Sequence, residues 1–233
     1  PEYPSIVYTQ ILKQIWPDVP VILGGIEASL RRLTHYDYWQ ETVRKSILIE
    51  SGADLLVYGM GEKPILELCQ RMKENPAVPQ DIPQTAYVVK GKQAIPPSIS
   101  KKDDIVLHSH EACLSDKKME AENFRFIEEE SNKYEAARIL QHAGNSTVVV
   151  NPPYPPMTQG ELDVSFDLPY TRLPHPKYKG KRIPAFDMIK FSVNLHRGCF
   201  GGCAFCTISA HQGKFIVSRS KESILKEVKA ITE

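Results

Sequence analysis

Three of the five cysteines, Cys199, Cys203 and Cys206, fall within eight residues, in the run His196-Arg197-Gly198-Cys199-Phe200-Gly201-Gly202-Cys203-Ala204-Phe205-Cys206. Their spacing is C-x-x-x-C-x-x-C. Thiolates are soft ligands that suit iron–sulfur clusters and zinc. An odd number of cysteines, with Cys69 and Cys113 standing alone, does not describe a disulfide framework. Three glycines within five residues let the backbone turn tightly and aim N–H groups at a negatively charged object. Three thiolates on a four-iron cube leave one iron without a protein ligand, whereas electron-transfer clusters are ordinarily held by four cysteines. As at open zinc sites, the vacant position is where chemistry takes place. The same residues also allow a structural zinc, with His196 or His211 completing a Cys3His set.

The elements that must carry this loop can be read from periodicity. Tyr8, Ile11, Leu12, Ile15 and Trp16 recur at helical spacing from Ser5 to Trp16, where Pro17 stops the run. Val19–Gly24 and Asp54–Tyr58 are short apolar runs about thirty residues apart, the length of a βαβ unit. Pro64 opens a second helix with Ile65, Leu66, Leu68, Cys69 and Met72 on one stripe, which makes Cys69 a small buried hydrophobe. TAYVVKGKQAI predicts a hairpin turned at Lys90-Gly91-Lys92, and Asp116–His142 predicts a helix closed by Gly144. TVVVN reads as a strand.

Eight of the 18 prolines lie between Asn151 and Pro184, an extended connector in which Thr158 and Glu161 form a capping box. From Met188 the pattern predicts a strand, IKFSVNL, then the cysteine loop, a second short strand, FIVS, and a helix capped by Ser220. The expected class is α/β. A partial parallel-sheet domain spans 1–90, a helical and proline-rich connector 91–186, and a βα unit carrying the loop 187–233.

Other candidate sites are weaker. Tyr58-Gly59-Met60-Gly61-Glu62-Lys63-Pro64 has the strand, glycine turn and helix start of a phosphate edge, or of a plain tight turn. His108, His110 and Cys113 are loosely spaced for a metal. His35-Tyr36-Asp37-Tyr38-Trp39, beside Arg31 and Arg32, suits either base stacking or packing between domains.

With 233 residues, 42% hydrophobic and 24% charged, the chain has the composition of a globular protein, not a fibrous or disordered one. No apolar run approaches the roughly 20 residues of a membrane span, and the start lacks a secretory signal, so a cytoplasmic location without a membrane partner is expected. The first residue is not methionine and the last residues read as an unstopped helix, as in a piece of a longer chain. The formal charge of +1 conceals a division. Lys177–Glu233 holds 11 Lys or Arg against 4 Asp or Glu, and the remainder 18 against 24. Such an excess can meet an anionic ligand, a nucleic acid or an acidic neighbour, or be balanced by acids elsewhere in a longer chain.

The cysteine spacing, with Phe205 just before the last cysteine and the loop after a predicted strand, resembles the cluster loop of radical S-adenosylmethionine enzymes. Within them the chain is similar to the uncharacterised YgiQ family. The matching blocks are LGGIEASLRRLTHYDYW at Leu23–Trp39, ADLLVYGMGEKPILEL at Ala53–Leu68, NPPYPPMTQGELD at Asn151–Asp163, and HRGCFGGCAFCTISAHQGK through VSRSKESIL at His196–Leu225. The resemblance implies a 4Fe-4S cluster on Cys199, Cys203 and Cys206, with S-adenosyl-L-methionine chelating the fourth iron and Phe205 lining its adenine pocket. An electron from a carrier such as flavodoxin or ferredoxin would cleave the sulfonium, giving a 5′-deoxyadenosyl radical that abstracts hydrogen from a substrate. Arg197 and Arg219 would either favour the cofactor carboxylate or lie solvated at the surface.

The resemblance also implies a cobalamin-binding-like N-terminal domain and the first βα unit of a partial barrel. A G-G-E-like segment on the second barrel strand is outside these 233 residues, which by themselves are not expected to turn over. The alternative is a zinc or nucleic-acid-binding module that is not an enzyme.

Overall fold

The structure, a computed structural model, describes residues 3–232. They fall into two compact units, one formed by residues up to Pro155 together with Cys199–Lys214, the other by Pro156–Gly198 together with the residues from Phe215 onward.

The first unit opens with helix α1 (Pro4–Ile15), whose proline at the first turn is pre-set for helical φ. There follow β1 (Ile22–Leu23), α2 (Gly25–Leu30), the hairpin β2 (His35–Asp37) and β3 (Thr42–Arg44), α3 (Ile47–Ser51) and β4 (Leu55–Val57). Next come α4 (Glu62–Glu74), β5 (Thr85–Lys90), β6 (Ile105–Val106), α5 (His110–Ser115), α6 (Lys117–Ser131), β7 (Ile139–Ala143) and β8 (Ser146–Val150). The six long-range strands make one sheet in the order β1-β4-β5-β8-β7-β6. Its outer pairs, β1 with β4 and β6 with β7, are parallel; the three inner pairs are antiparallel. The α/β class holds, and the sheet is mixed where a parallel one was expected.

Period-two alternation fills both faces. Leu56, Ala86, Val148, Val150 and Ile139 pack on one side with Ile47, Leu48 and Ala28, while Leu55, Tyr87, Val89, Val149 and Leu140 pack on the other with Leu68 and Ile82. A fully buried side chain of this size contributes about 1.5–3 kcal/mol.

Several expectations are corrected here. Lys90-Gly91-Lys92 does turn the chain, but β5 pairs with β4 and β8 and not with the residues after the turn. The helix expected to reach His142 stops at Ser131. Residues 139–143 form a strand because Val148–Val150 offers a complete antiparallel ladder, and Gly144, at φ 58°, turns that hairpin instead of capping a helix. The α1 stripe faces outward: Ile6 and Thr9 are buried, and Tyr8 and Trp16 are more than half exposed. Cys69 is exposed, because the buried face of α4 is centred on Pro64 and Leu68.

The second unit holds α7 (Gln159–Phe166), a 3-10 turn (Pro176–Tyr178), α8 (Pro184–Ile189), β9 (His196–Arg197), β10 (Val217–Ser218) and α10 (Lys221–Thr232). Thr158 and Glu161 make the reciprocal capping box at the start of α7. Ser220 Oγ accepts from the Ser223 N–H as α10 begins. The strand expected from Met188 is shorter than expected. Pro184 opens a helix that takes up Met188 and Ile189, and only His196 and Arg197 find a partner strand, antiparallel β10. No helix among the described residues is long and apolar enough to cross a membrane.

Candidate metal centre

The cysteine loop belongs to the α/β unit from Cys199 onward. Gly198, just before it, has φ +84°, and a Cβ there would collide with the Phe215 carbonyl, so only glycine turns the chain at this point. The base of the loop is closed by one backbone bond, in which the Cys199 N–H donates to the Gly213 carbonyl at 3.0 Å. Between these ends the Gly201 N–H donates to Cys199 Sγ at 3.4 Å, and the Cys206 N–H donates to the Cys203 carbonyl at 3.0 Å. Past Cys206 the chain winds into the short helix α9 (Ile208–Gln212).

Two of the three sulfurs face one small space. A Cβ at Gly201 would lie 3.2 Å from Cys199 Sγ and 3.8 Å from Cys203 Sγ, so glycine keeps the gap between them open. Cys199 and Cys206 are half-buried and Cys203 is exposed, on a loop whose tip is in solvent. Among the described residues no three His, Cys, Asp or Glu side chains are gathered at ligating distance. The donor set nevertheless fits a thiophilic centre: three free thiols, no carboxylate among them, and a glycine cradle beside two of the sulfurs. Phe205 is 90% exposed.

The other candidate residues are distributed as follows. His196 lies exposed on β9. His211, on α9, is bonded through Nδ1 to Ser29 Oγ at 2.9 Å. Arg219 is buried, not solvated: its guanidinium stacks 4.3 Å from the Phe166 ring and bonds Glu227, Ser223 and the Asn194 carbonyl. The half-buried Arg197 stacks on the same ring at 5.1 Å.

His108 Nε2 is 2.8 Å from Glu122, while His110 and Cys113 are buried. Burial, reinforced by the hydrogen bond to Glu120, pushes the Cys113 thiol up to about 12. Tyr36, Tyr38 and Trp39 are exposed on the β2–β3 hairpin, with the Tyr38 and Trp39 rings 4.9 Å apart. Asp37 between them is buried and accepts from Tyr3 Oη at 2.5 Å, a bond that holds its carboxyl below the usual range. At the glycine turn after β4, the Gly59 N–H donates to Ser29 Oγ at 2.9 Å, so the amide a phosphate would need is already engaged. No periodicity signalled the meeting of Ser29, Gly59 and His211, since they come from three distant stretches of sequence.

Comparison with known proteins identifies the family of the chain. A family profile described as Radical SAM N-terminal matches residues 1–192, and the chain belongs to that family. Its relatives include the UPF0313 protein of Bacteroides thetaiotaomicron, 69% identical over 246 residues, and that of Porphyromonas gingivalis, 64% identical over 236 residues. The UPF0313 protein YgiQ of Escherichia coli is 39% identical over 286 residues. Each alignment covers 100% of this chain and 39%, 37% and 38% of the respective relative, so the chain spans about two fifths of their length. No solved structure matches.

Proposed function

We propose that the chain carries the cluster-binding loop of a radical S-adenosylmethionine enzyme, with Cys199, Cys203 and Cys206 as the iron ligands. The observation that carries this reading is the three-thiol loop with Gly201 open between two sulfurs, in a chain that belongs to the Radical SAM N-terminal family. Bound there, a 4Fe-4S cluster supplies the electron that cleaves S-adenosylmethionine to methionine and a 5′-deoxyadenosyl radical, which takes hydrogen from a substrate.

In this reading the chain's own residues do three things. The cysteines bind as thiolates. Gly201 and Gly202 keep side chains away from the ligand position and leave backbone N–H groups facing it. Phe205, exposed beside the last ligand, offers a ring face for the adenine. Residues 187–233 begin the catalytic barrel, the proline-rich stretch from Pro156 to Phe186 connects, and the six-stranded sheet with its helices, up to Pro155, forms an accessory domain of cobalamin-binding-like descent. In the glycine turn of that domain the Gly59 N–H serves structure, donating to Ser29. The basic excess after Lys177 suits an acidic electron carrier such as flavodoxin or ferredoxin.

Reconstitution with iron and sulfide under anaerobic conditions tests the reading. The expected result is a brown protein with close to four irons per chain, whose spectrum changes when S-adenosylmethionine is added. A colourless protein holding one zinc per chain would replace it with the Cys3His alternative.

A further inference from the structure

Three stretches far apart in sequence meet at one buried hydroxyl. Ser29, on α2, is fully buried, and its Oγ lies 3.0 Å from the Gly25 carbonyl, 2.9 Å from the Gly59 nitrogen and 2.9 Å from His211 Nδ1. A serine hydroxyl has one hydrogen and two lone pairs. With the hydrogen on the Gly25 carbonyl and one lone pair taken by the Gly59 N–H, the second lone pair accepts from His211 Nδ1–H. The network thereby assigns the imidazole its tautomer.

The approach is also sterically exclusive. Gly59 has φ +68°, and a Cβ on it would lie 3.2 Å from the His211 carbonyl, so both its backbone conformation and the closeness of α9 require glycine. The helix that docks here has five residues and no side-chain N-cap, too short to be stable without tertiary support. A second tie lies just beyond it, where Lys214 Nζ pairs with Glu128 at 2.5 Å. The Cys199 N–H donates to the Gly213 carbonyl and so closes the start of the loop onto this anchored end. The cysteine loop is thus held to the rest of the α/β unit through α9 and Lys214 while its tip, Phe200–Phe205, is exposed.

We propose that Ser29 and His211 are positioning residues for this loop: their hydrogen bond clamps α9 to the α/β unit and so fixes where Cys206, five residues before His211, presents its thiolate. The cluster part of this statement rests on the function proposed above. The clamp itself does not. Residues that orient the ligands of a metal site without touching the metal commonly change its affinity about 10–100-fold when replaced.

The test uses Ser29→Ala, His211→Ala, His211→Asn and the double variant Ser29→Ala/His211→Ala. Hydrogen exchange is followed by mass spectrometry in the metal-free protein, and release of iron to a chelator in the reconstituted protein. Both alanine variants should speed exchange across Cys206–Gly213 and release iron about tenfold faster or more. His211→Ala should leave the melting temperature of the α/β unit unchanged, whereas Ser29→Ala, which also takes the acceptor from the buried Gly59 N–H, should lower it. The double variant should be no worse than Ser29→Ala alone, because the Ser29–His211 link is already gone in it. His211→Asn, whose amide nitrogen can stand where Nδ1 stood, should restore both readouts in part. Exchange unchanged in the alanine variants overturns the clamp. Faster exchange with unaltered iron release confines Ser29 and His211 to local structure and overturns their positioning role. Faster exchange in the alanine variants of a parent protein that takes up no iron sustains the clamp and overturns the cluster reading instead.

Discussion

The two units are built on opposite interiors. In the α/β unit Leu55, Leu56, Tyr87, Val148 and Val149 are shut away from water on both faces of a sheet. In the second unit, among the described residues, the buried set is Leu162 with Arg219, Ser223 and Glu227. There Arg219 stacks on Phe166 and meets Glu227, which also accepts from Arg172, while Asp167 accepts from Ser223 at 2.8 Å and pairs with Lys226 at 3.0 Å. Hydrocarbon packing is dense and non-directional; a buried charge network depends on each partner being present. The cysteine loop grows from the hydrocarbon-packed unit, the better platform for holding three thiolates to a small tolerance.

The comparison can be broken at several points. The largest effect should come from Cys203→Ser, which removes one of the three proposed ligands. Iron after anaerobic reconstitution should fall to near zero while circular dichroism of the fold is unchanged, and near-normal iron would remove Cys203 from the ligand set. Next, Arg219→Ala leaves Glu227 buried without its main partner, and losses of about 3–5 kcal/mol are typical of such changes. Urea unfolding should show the second unit giving way first. Arg219→Met combined with Glu227→Leu should recover much of that loss, because neither buried charge then remains and Arg172, which loses Glu227, is partly exposed to solvent.

In the other unit Leu56→Ala should cost about 2–5 kcal/mol through the cavity it leaves, with no dependence on ionic strength. A loss that salt deepens would contradict a purely hydrocarbon interior. Thr158→Ala, which removes the capping box of α7, should cost about 1 kcal/mol in the same unfolding assay.

The smallest expected effect is on acid stability. Burial lowers the folded-state proton affinity of His35 and His110 below the ordinary histidine value of 6.5. The unfolded chain therefore takes up protons first as pH falls. Stability from these two groups is present above about pH 6.5 and is lost as pH falls toward and through their folded values. The melting temperature of the α/β unit should decline from pH 7.5 to 5, and His35→Gln should flatten part of that decline.

Local chemistry was readable wherever a short window decided the outcome. The helical spacing from Ser5 to Trp16 placed α1, the T-x-x-E run placed α7, Ser220 placed the start of α10, and the apolar runs around Leu55 and Val148 placed their strands. Ile139–Ala143 shows where that ends. Its residues continue a helical pattern within their own window, and they become a strand because β8 lies antiparallel to them. Met188 and Ile189 went the other way, into a helix behind Pro184, since the expected strand found a partner only at His196 and Arg197. Cys69 followed its stripe on paper but faces solvent, because which side of α4 is buried depends on what packs against it.

By itself the sequence determined which donors are on offer: three thiols at C-x-x-x-C-x-x-C, with glycines around them, a set that would favour soft metals. It could not say what holds that loop, nor that the Gly59 amide is taken up by Ser29. Those were decided when α2, the turn after β4 and α9 came within hydrogen-bond distance of one another through Ser29. Ligand identity is a property of side chains and travels with the sequence. Ligand placement is a property of contacts between residues 30 and 182 positions apart, which only the folded chain can make.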